Sequence, residues 1–239
     1  MSGTSADGID AVLVSYEDRR GMLLQTHHAE MPGALREEIL NLRHAGANEL
    51  HRMAVLDQQL AVAYAEAVKG LLAQAGVSAK DINAIGSHGQ TVRHRPPGTR
   101  DSAFTLQIGD PNQIAEITGI DTVADFRRRD VAAGGQGAPL APAFHDVLFG
   151  NTATATCVVN IGGISNISPL RNQNGGFDTG PGNCLMDAWF CQHHPNHPER
   201  FDTSGKWAAV GKVQEALLER MLGDVYFARR PPKSTGREY

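Results

Sequence analysis

Gly176-Phe177-Asp178-Thr179-Gly180-Pro181-Gly182-Asn183 sets a single carboxylate among three glycines, and it follows shortly after Asn160-Ile161-Gly162-Gly163-Ile164-Ser165-Asn166. Glycine permits positive φ and close backbone approach but weakens an ordinary strand or helix. Three glycines around an aspartate therefore read as a binding turn, with Asp178 as its chemical group. Gly-Pro-Gly-Asn is also common surface-turn chemistry, so the reading leans on what surrounds it.

The neighbouring 160–167 stretch has Cys157, Val158 and Val159 on one side of its Gly162-Gly163 pair and Ile164 and Ile167 on the other. The same form opens the chain, where Ser2-Gly3-Thr4-Ser5-Ala6-Asp7-Gly8 leads into Ile9, Ala11, Val12, Leu13 and Val14. Successive backbone N–H groups beside Thr and Ser hydroxyls suit phosphoryl oxygens, and either Asp7 or Asp10 suits a hydrated magnesium ion. A strand–turn–strand arrangement differs from the Walker loop, which needs Gly-Lys-Ser/Thr entering a helix, and no such motif occurs. Two such turns suggest paired phosphate clamps, one per lobe. A third glycine-rich stretch, from Phe126-Arg127-Arg128-Arg129-Asp130 through Gly134-Gly135-Gln136-Gly137, combines cations, an acid and a mobile backbone.

The composition narrows the classes. With 239 residues and 41% hydrophobic content the chain can bury a substantial core in one or two domains. A net charge of -4 and an arginine run of three, closed at once by Asp130, argue against a nucleic-acid groove. No apolar run is long enough to span a bilayer and no basic-then-apolar leader opens the chain, so no membrane partner and a cytoplasmic location are expected. Three unpaired-looking cysteines fit a reducing compartment. Cys191, His193, His194 and His197 have the composition of a metal tract but lack a second paired half.

Along the chain, strands are expected over 9–14 and 22–28 as a hairpin around 18–21. The clearest helix covers 50–75, where Leu50, Met53, Leu60, Tyr64, Ala67 and Leu71 recur at three- and four-residue steps and Gly76 takes the terminating position. Strands follow at 84–87, 104–108 and 120–124, with a helix started by Pro111 and ended by Gly119. Helices near 140–149, 184–192 and 207–222 and a strand pair about Gly162-Gly163 complete an α/β reading with mixed sheets.

The chain resembles the anhydro-N-acetylmuramic acid kinases, of the sugar kinase and actin superfamily. The resemblance rests on Met1-Ser2-Gly3-Thr4-Ser5-Ala6-Asp7-Gly8-Ile9-Asp10, Ile85-Gly86-Ser87-His88-Gly89-Gln90-Thr91, Gln107-Ile108-Gly109-Asp110-Pro111, Val123-Ala124-Asp125-Phe126-Arg127-Arg128-Arg129-Asp130, the 134–139 loop, the 176–183 stretch and Pro232-Lys233-Ser234-Thr235-Gly236-Arg237-Glu238. It implies a two-lobed actin-like ATPase fold of ribonuclease H-like type, with mixed sheets flanked by helices. Residues 1–130 then form an N-terminal lobe with the first phosphate turn, and 131–239 the start of a second lobe with the other turn and the catalytic aspartate. The family opens with an apolar strand ahead of the first turn and continues past the Pro232 segment into an adenosine-binding turn. The expectation is thus a chain trimmed at both ends with an incomplete second lobe.

The resemblance also implies the chemistry: ATP- and magnesium-dependent hydrolytic opening of 1,6-anhydro-N-acetylmuramic acid with phosphorylation to the 6-phosphate, in cell-wall recycling, by a homodimer. Asp178 becomes the general base; Gly3, Thr4, Ser5, Asp7, Gly8, Asp10, Gly162 and Gly163 hold the nucleotide; Asp7 and Asp125 hold magnesium. His88, Arg129, Gly134 and Gly135 contact the sugar. Alternatives stay open: His88 satisfies local backbone groups and Asp125 locks the arginine run, while 233–237 could touch phosphate but reads more simply as a solvated terminal loop. An inactive fragment or a non-catalytic sugar or nucleotide binder is the competing class; a hydrolase without ATP would need a second acid, for which Asp187 is poorly placed.

Overall fold

The structure is a computed structural model that describes residues 2–3, 6, 8–17, 20–97, 102–150, 154–171 and 175–235, the Arg20 side chain aside. The chain divides into two compact units, Met1–Ala138 and Pro139–Tyr239. Both combine small sheets with helices.

In the first unit, β1 (Gly8–Glu17) and β2 (Arg20–Glu30) form an antiparallel ribbon with a bulge between Leu13 and Val14. After α1 (Gly33–Asn41) comes α2 (Glu49–Ala75), whose Leu56, Leu60, Tyr64, Ala67 and Leu71 form one buried stripe. It ends as its sequence dictates: Gly76 takes φ 67°, and the N–H groups of Gly76 and Val77 return to the carbonyls of Ala73 and Leu72. β3 (Ile85–Gly86), β4 (Gln90–Arg95), β5 (Phe104–Ile108), α3 (Pro111–Thr118), β6 (Thr122–Val123) and α4 (Phe126–Ala132) follow. β3 pairs with β6 in parallel and β4 with β5 antiparallel. Ile9, Met31, Ile39, Leu42, Leu56, Leu60, Val92, Ile108 and Ile114 pack into one core. Burying each large side chain there contributes roughly 1.5–3 kcal/mol.

The second unit holds α5 (Ala141–Phe149), then the antiparallel meander β7 (Cys157–Ile161), β8 (Ile164–Pro169) and β9 (Phe177–Pro181). α6 (Asn183–His193), α7 (Glu215–Leu222) and α8 (Val225–Ala228) close it.

Several expectations are corrected. The Asp178 stretch is not a free turn: Asp178 is paired with Asn166 across the β8–β9 ladder, which supplies the order that glycine withholds. Gly180 keeps φ 143° there and faces the Phe227 ring. The helix expected over 207–222 starts only at Glu215, because Gly211 is extended after a single 3₁₀ turn at Ala208–Val210. The arginine stretch, expected as loop, is helical over Phe126–Ala132. No described helix is long and apolar enough to cross a membrane.

Candidate active site

The first unit fixes its opening turn by side chains. Ser2, almost fully buried, donates from Oγ to Gln90 Oε1 (2.5 Å) and bonds the Tyr64 hydroxyl (2.7 Å), while Gln90 Nε2 donates to the Gly3 carbonyl (3.3 Å). The Ala6 N–H closes the turn on the Gly3 carbonyl at 3.1 Å. Burial pushes the Tyr64 phenol up to about 12 against the opposing Ser2 bond, so Tyr64 stays protonated. Gly8 begins β1, and Asp10 pairs with His28 Nδ1 at 2.8 Å on the exposed side of the ribbon. Thr4, Ser5 and Asp7, expected at nucleotide or metal, lie outside the described residues.

A second cluster joins the 88–90 turn to α4. Arg127 donates from Nε to His88 Nε2 (2.7 Å) and from Nη1 to the Gly137 carbonyl (2.7 Å). Because Nε2 accepts, the His88 proton sits on Nδ1, which donates to the Gly89 carbonyl at 2.7 Å. Burial, then the Arg127 guanidinium, pushes His88 down to about 4, and the same two causes bring the buried His94 to about 4. Both rings are neutral near pH 7. Asp130 accepts from the Gly137 N–H at 2.7 Å, and Gly134 and Gly135 wrap the C-terminal end of α4 through N–H bonds to Val131 and Asp130 carbonyls.

The three arginines therefore separate. Arg127 turns inward, Arg128 grips both Asp125 oxygens (2.7 and 2.5 Å), and Arg129 is exposed, its side chain without a hydrogen bond or ion pair among the described residues. Sequence reasoning leaves the three arginines undivided with a lean to Arg129, and does not single out Arg127 as the inward member. Its signal was helical spacing: once 126–132 is a helix, adjacent arginines must diverge.

In the second unit, the carbonyls of Gly162 and Gly163 receive the first N–H groups of α6. Gly182 N and Cys184 N donate to the Gly163 carbonyl (3.0 and 3.3 Å), and Asn183 N to that of Gly162 (2.8 Å). A Cβ on Gly182 would stand 2.1 Å from the Gly162 oxygen, so only glycine allows this approach.

Asp178 lies in the next strand, 5% exposed. Its Oδ2 accepts from Ser234 Oγ (2.7 Å) and from the Thr235 N–H (3.0 Å). Its backbone is held as well: Asp178 N donates to the Lys233 carbonyl (3.0 Å), and the Tyr226 hydroxyl donates to the Asp178 carbonyl (2.7 Å). Lys233 Nζ donates to the Tyr226 carbonyl (3.1 Å) and stands 4.6 Å from its ring centroid. The solvated loop expected over 233–237 is thus overturned for Lys233, Ser234 and Thr235, and Ser234 is buried; Gly236 and Arg237 lie outside the described residues. A carboxylate receiving two donors favours its charged form, which opposes the effect of burial.

Phe190, His194, His197 and Trp207 pack ring on ring, His194 lying 4.5 Å from Phe190 and 4.8 Å from Trp207 by centroid. The tract that looks like metal chemistry in sequence is here an aromatic cluster, and no group of three metal-ligating side chains occurs among the described residues.

A family model described as anhydro-N-acetylmuramic acid kinase matches residues 1–239. Three curated proteins carrying that same description are similar: one of Shewanella loihica, 52% identical over 241 residues, one of Cupriavidus pinatubonensis, 53% identical over 241, and one of Colwellia psychrerythraea, 49% identical over 246. Each alignment takes in 100% of this chain but 64%, 64% and 62% of the relative. The chain spans slightly under two thirds of the length of these relatives.

Proposed function

Since the chain belongs to the anhydro-N-acetylmuramic acid kinase family, we propose that it opens the anhydro ring of 1,6-anhydro-N-acetylmuramic acid with water and phosphorylates the freed oxygen from ATP. The observation that carries this reading is the buried Asp178 carboxylate, held by two donors on a glycine-rich strand next to the Gly162-Gly163 turn. The family also implies the finer fold, a two-lobed actin-like ATPase of ribonuclease H-like type.

Asp178 takes a proton from water as the water oxygen bonds the anomeric carbon and the bond from that carbon to O6 breaks. O6 then bonds the γ-phosphorus and ADP leaves. Phosphoryl transfer asks the protein chiefly for positioning and charge neutralisation. Ser2, bonded to Tyr64 and Gln90 at the head of the opening turn, and the Gly162-Gly163 turn support that task. On the sugar side, exposed Arg129 suits the lactyl carboxylate, while His88, neutral and aligned by Arg127, joins Gly134 and Gly135 as a neutral polar lining.

Magnesium is implied by the reaction class. Asp125 has both oxygens on Arg128, a partner set that suits an ion pair rather than a metal ligand. Asp7 remains the candidate in the opening turn.

The test is product formation from Mg-ATP and the anhydro sugar, read by mass spectrometry, for the chain and for Asp178→Asn. Product from the first and a loss of 10²-fold or more, the scale of general-base catalysis, in the second is the expected result. Equal product from both would overturn the role of Asp178.

A further inference from the structure

The Asp178 carboxylate reaches its buried position in company. One of its oxygens carries both a hydroxyl donor, Ser234 Oγ at 2.7 Å, and a main-chain donor, Thr235 N at 3.0 Å. Ser234 is itself only 5% exposed, so its hydroxyl is spent on this carboxylate rather than on solvent. The segment bearing these donors is anchored at a separate point, where the Lys233 carbonyl accepts from Asp178 N and the Lys233 ammonium seats on Tyr226. Tyr226 in turn donates to the Asp178 carbonyl. Side chain and main chain of one residue are thereby tied to one short stretch, 226–235.

We propose that Ser234 is a positioning residue for Asp178: its hydroxyl fixes the carboxylate rotamer and keeps the group ionised in a buried setting, so that it is ready to accept a proton. This rests on the reading of Asp178 as the general base. The physical need is plain. Burial disfavours a bare carboxylate, and a charge-assisted hydrogen bond is the local device that restores the charged form. The same bond fixes the torsion that aims the carboxylate, and misaim of about 1 Å costs on the order of a hundredfold in rate. The charged and titratable groups on the segment that contacts Asp178 include Tyr226 of α8, the Asp224 carboxylate that caps α8 at the Tyr226 N–H, Lys233, and Arg229 over the Tyr226 ring; across the ladder β8 sets the neutral Asn166. The hydroxyl of Ser234 is the nearest side-chain donor of these contacts, and unlike the Thr235 N–H it can be removed by substitution.

The experiment titrates the side-chain carboxyl carbon of Asp178 by ¹³C NMR in the full chain, assigned by comparison with Asp178→Asn, for Ser234→Ala, Ser234→Thr and Ser234→Cys. Loss of the hydroxyl should move the titration midpoint up by about one pH unit, the equivalent of one charge-assisted hydrogen bond, and Thr should restore it. Should Ala fail to fold, Cys decides, since it keeps the volume with a weak donor and should give an intermediate midpoint. A midpoint unmoved in Ala or Cys overturns the proposal. The acid limb of kcat/KM should shift with the midpoint while KM for the sugar holds. Failure of the base reading looks different: Asp178→Asn would retain turnover although the Ser234 variants still move the titration.

Discussion

The two units hold their site groups by contrasting means. In the first, polar groups stand on an apolar core: Gln90 and His94 alternate along β4 with Val92, and Tyr64 belongs to the same buried stripe as Leu56 and Leu60. In the second, among the described residues, the buried apolar side chains are Cys184, Phe190 and Tyr226, while Leu185, Met186, Trp189, Leu217 and Met221 are exposed. Its site is fixed by short-range polar bonds, from main-chain carbonyls to the start of α6 and from Ser234 and Thr235 to Asp178. Each unit is accordingly fragile at a different point: the first where core volume is lost, the second where the donors to Asp178 or the close approach at Gly182 are lost.

Removing volume should break the first unit most. Leu60 is fully buried at the centre of α2, and Leu60→Ala is expected to cost about 3 kcal/mol in urea unfolding. The matching truncation in the second unit, Leu217→Ala on the 56% exposed position of α7, should stay within about 0.5 kcal/mol. Equal losses would erase the contrast.

In the second unit the sensitive change is one added carbon at the start of α6. Gly182→Ala drives a Cβ to 2.1 Å from the Gly162 oxygen and 2.7 Å from Ser165 Oγ, forcing α6 off the β7–β8 turn at about 2 kcal/mol. Faster amide exchange at Asn183 and Cys184 would report it. Gly33→Ala, with nothing within 4 Å, is the control expected to leave stability unchanged or improved.

These fragile points differ in how visible they are in the amino-acid sequence. The long helix reads directly, because its apolar repeat and Gly76 agree with each other and with the core it feeds. The β1–β2 hairpin and the strand pair about Gly162-Gly163 are legible for the same reason: local pattern and fold coincide. β4 was hidden because its buried positions are Gln90, Val92 and His94, so a period of two exists in burial but not in hydrophobicity. β9 reads as a turn in the sequence because three glycines outweigh strand propensity until a neighbouring strand supplies the ladder. The partners of Asp178 were least visible: Ser234 is 56 residues away, and a hydroxyl after a lysine looks like solvent-exposed loop chemistry.

Acid should act on the first unit through two largely buried histidines. His88 and His94 of the first unit are both held near 4, against an ordinary 6.5, by burial first and Arg127 second. Between these values the unfolded chain binds the more protons, so their contribution is whole above about pH 6.5 and is lost as pH falls toward 4. Allowing for partial exposure, the pair should cost about 2 kcal/mol at pH 5 relative to pH 7. Unfolding midpoints across that window should fall less steeply in His94→Gln; an unchanged slope would remove His94 from this account.

The smallest effect tests whether the opening turn depends on its polar stitches or only on the core beneath them. Tyr64→Phe keeps the ring that packs in the α2 stripe and removes the hydroxyl at 2.7 Å from Ser2 Oγ. Ser2 retains Gln90 Oε1 at 2.5 Å, so no donor is orphaned, and the expected loss is about 1 kcal/mol, one hydrogen bond's net worth. Gln90→Leu differs in kind: it takes a partner from Ser2 and another from the Gly3 carbonyl, at 3.3 Å, within a buried setting. If stability alone were at stake, the two losses would track the number of bonds removed. If the stitches position the turn for phosphate, Tyr64→Phe should weaken ATP binding by more than its small loss of stability accounts for, and calorimetric titration at a temperature far below unfolding separates the two.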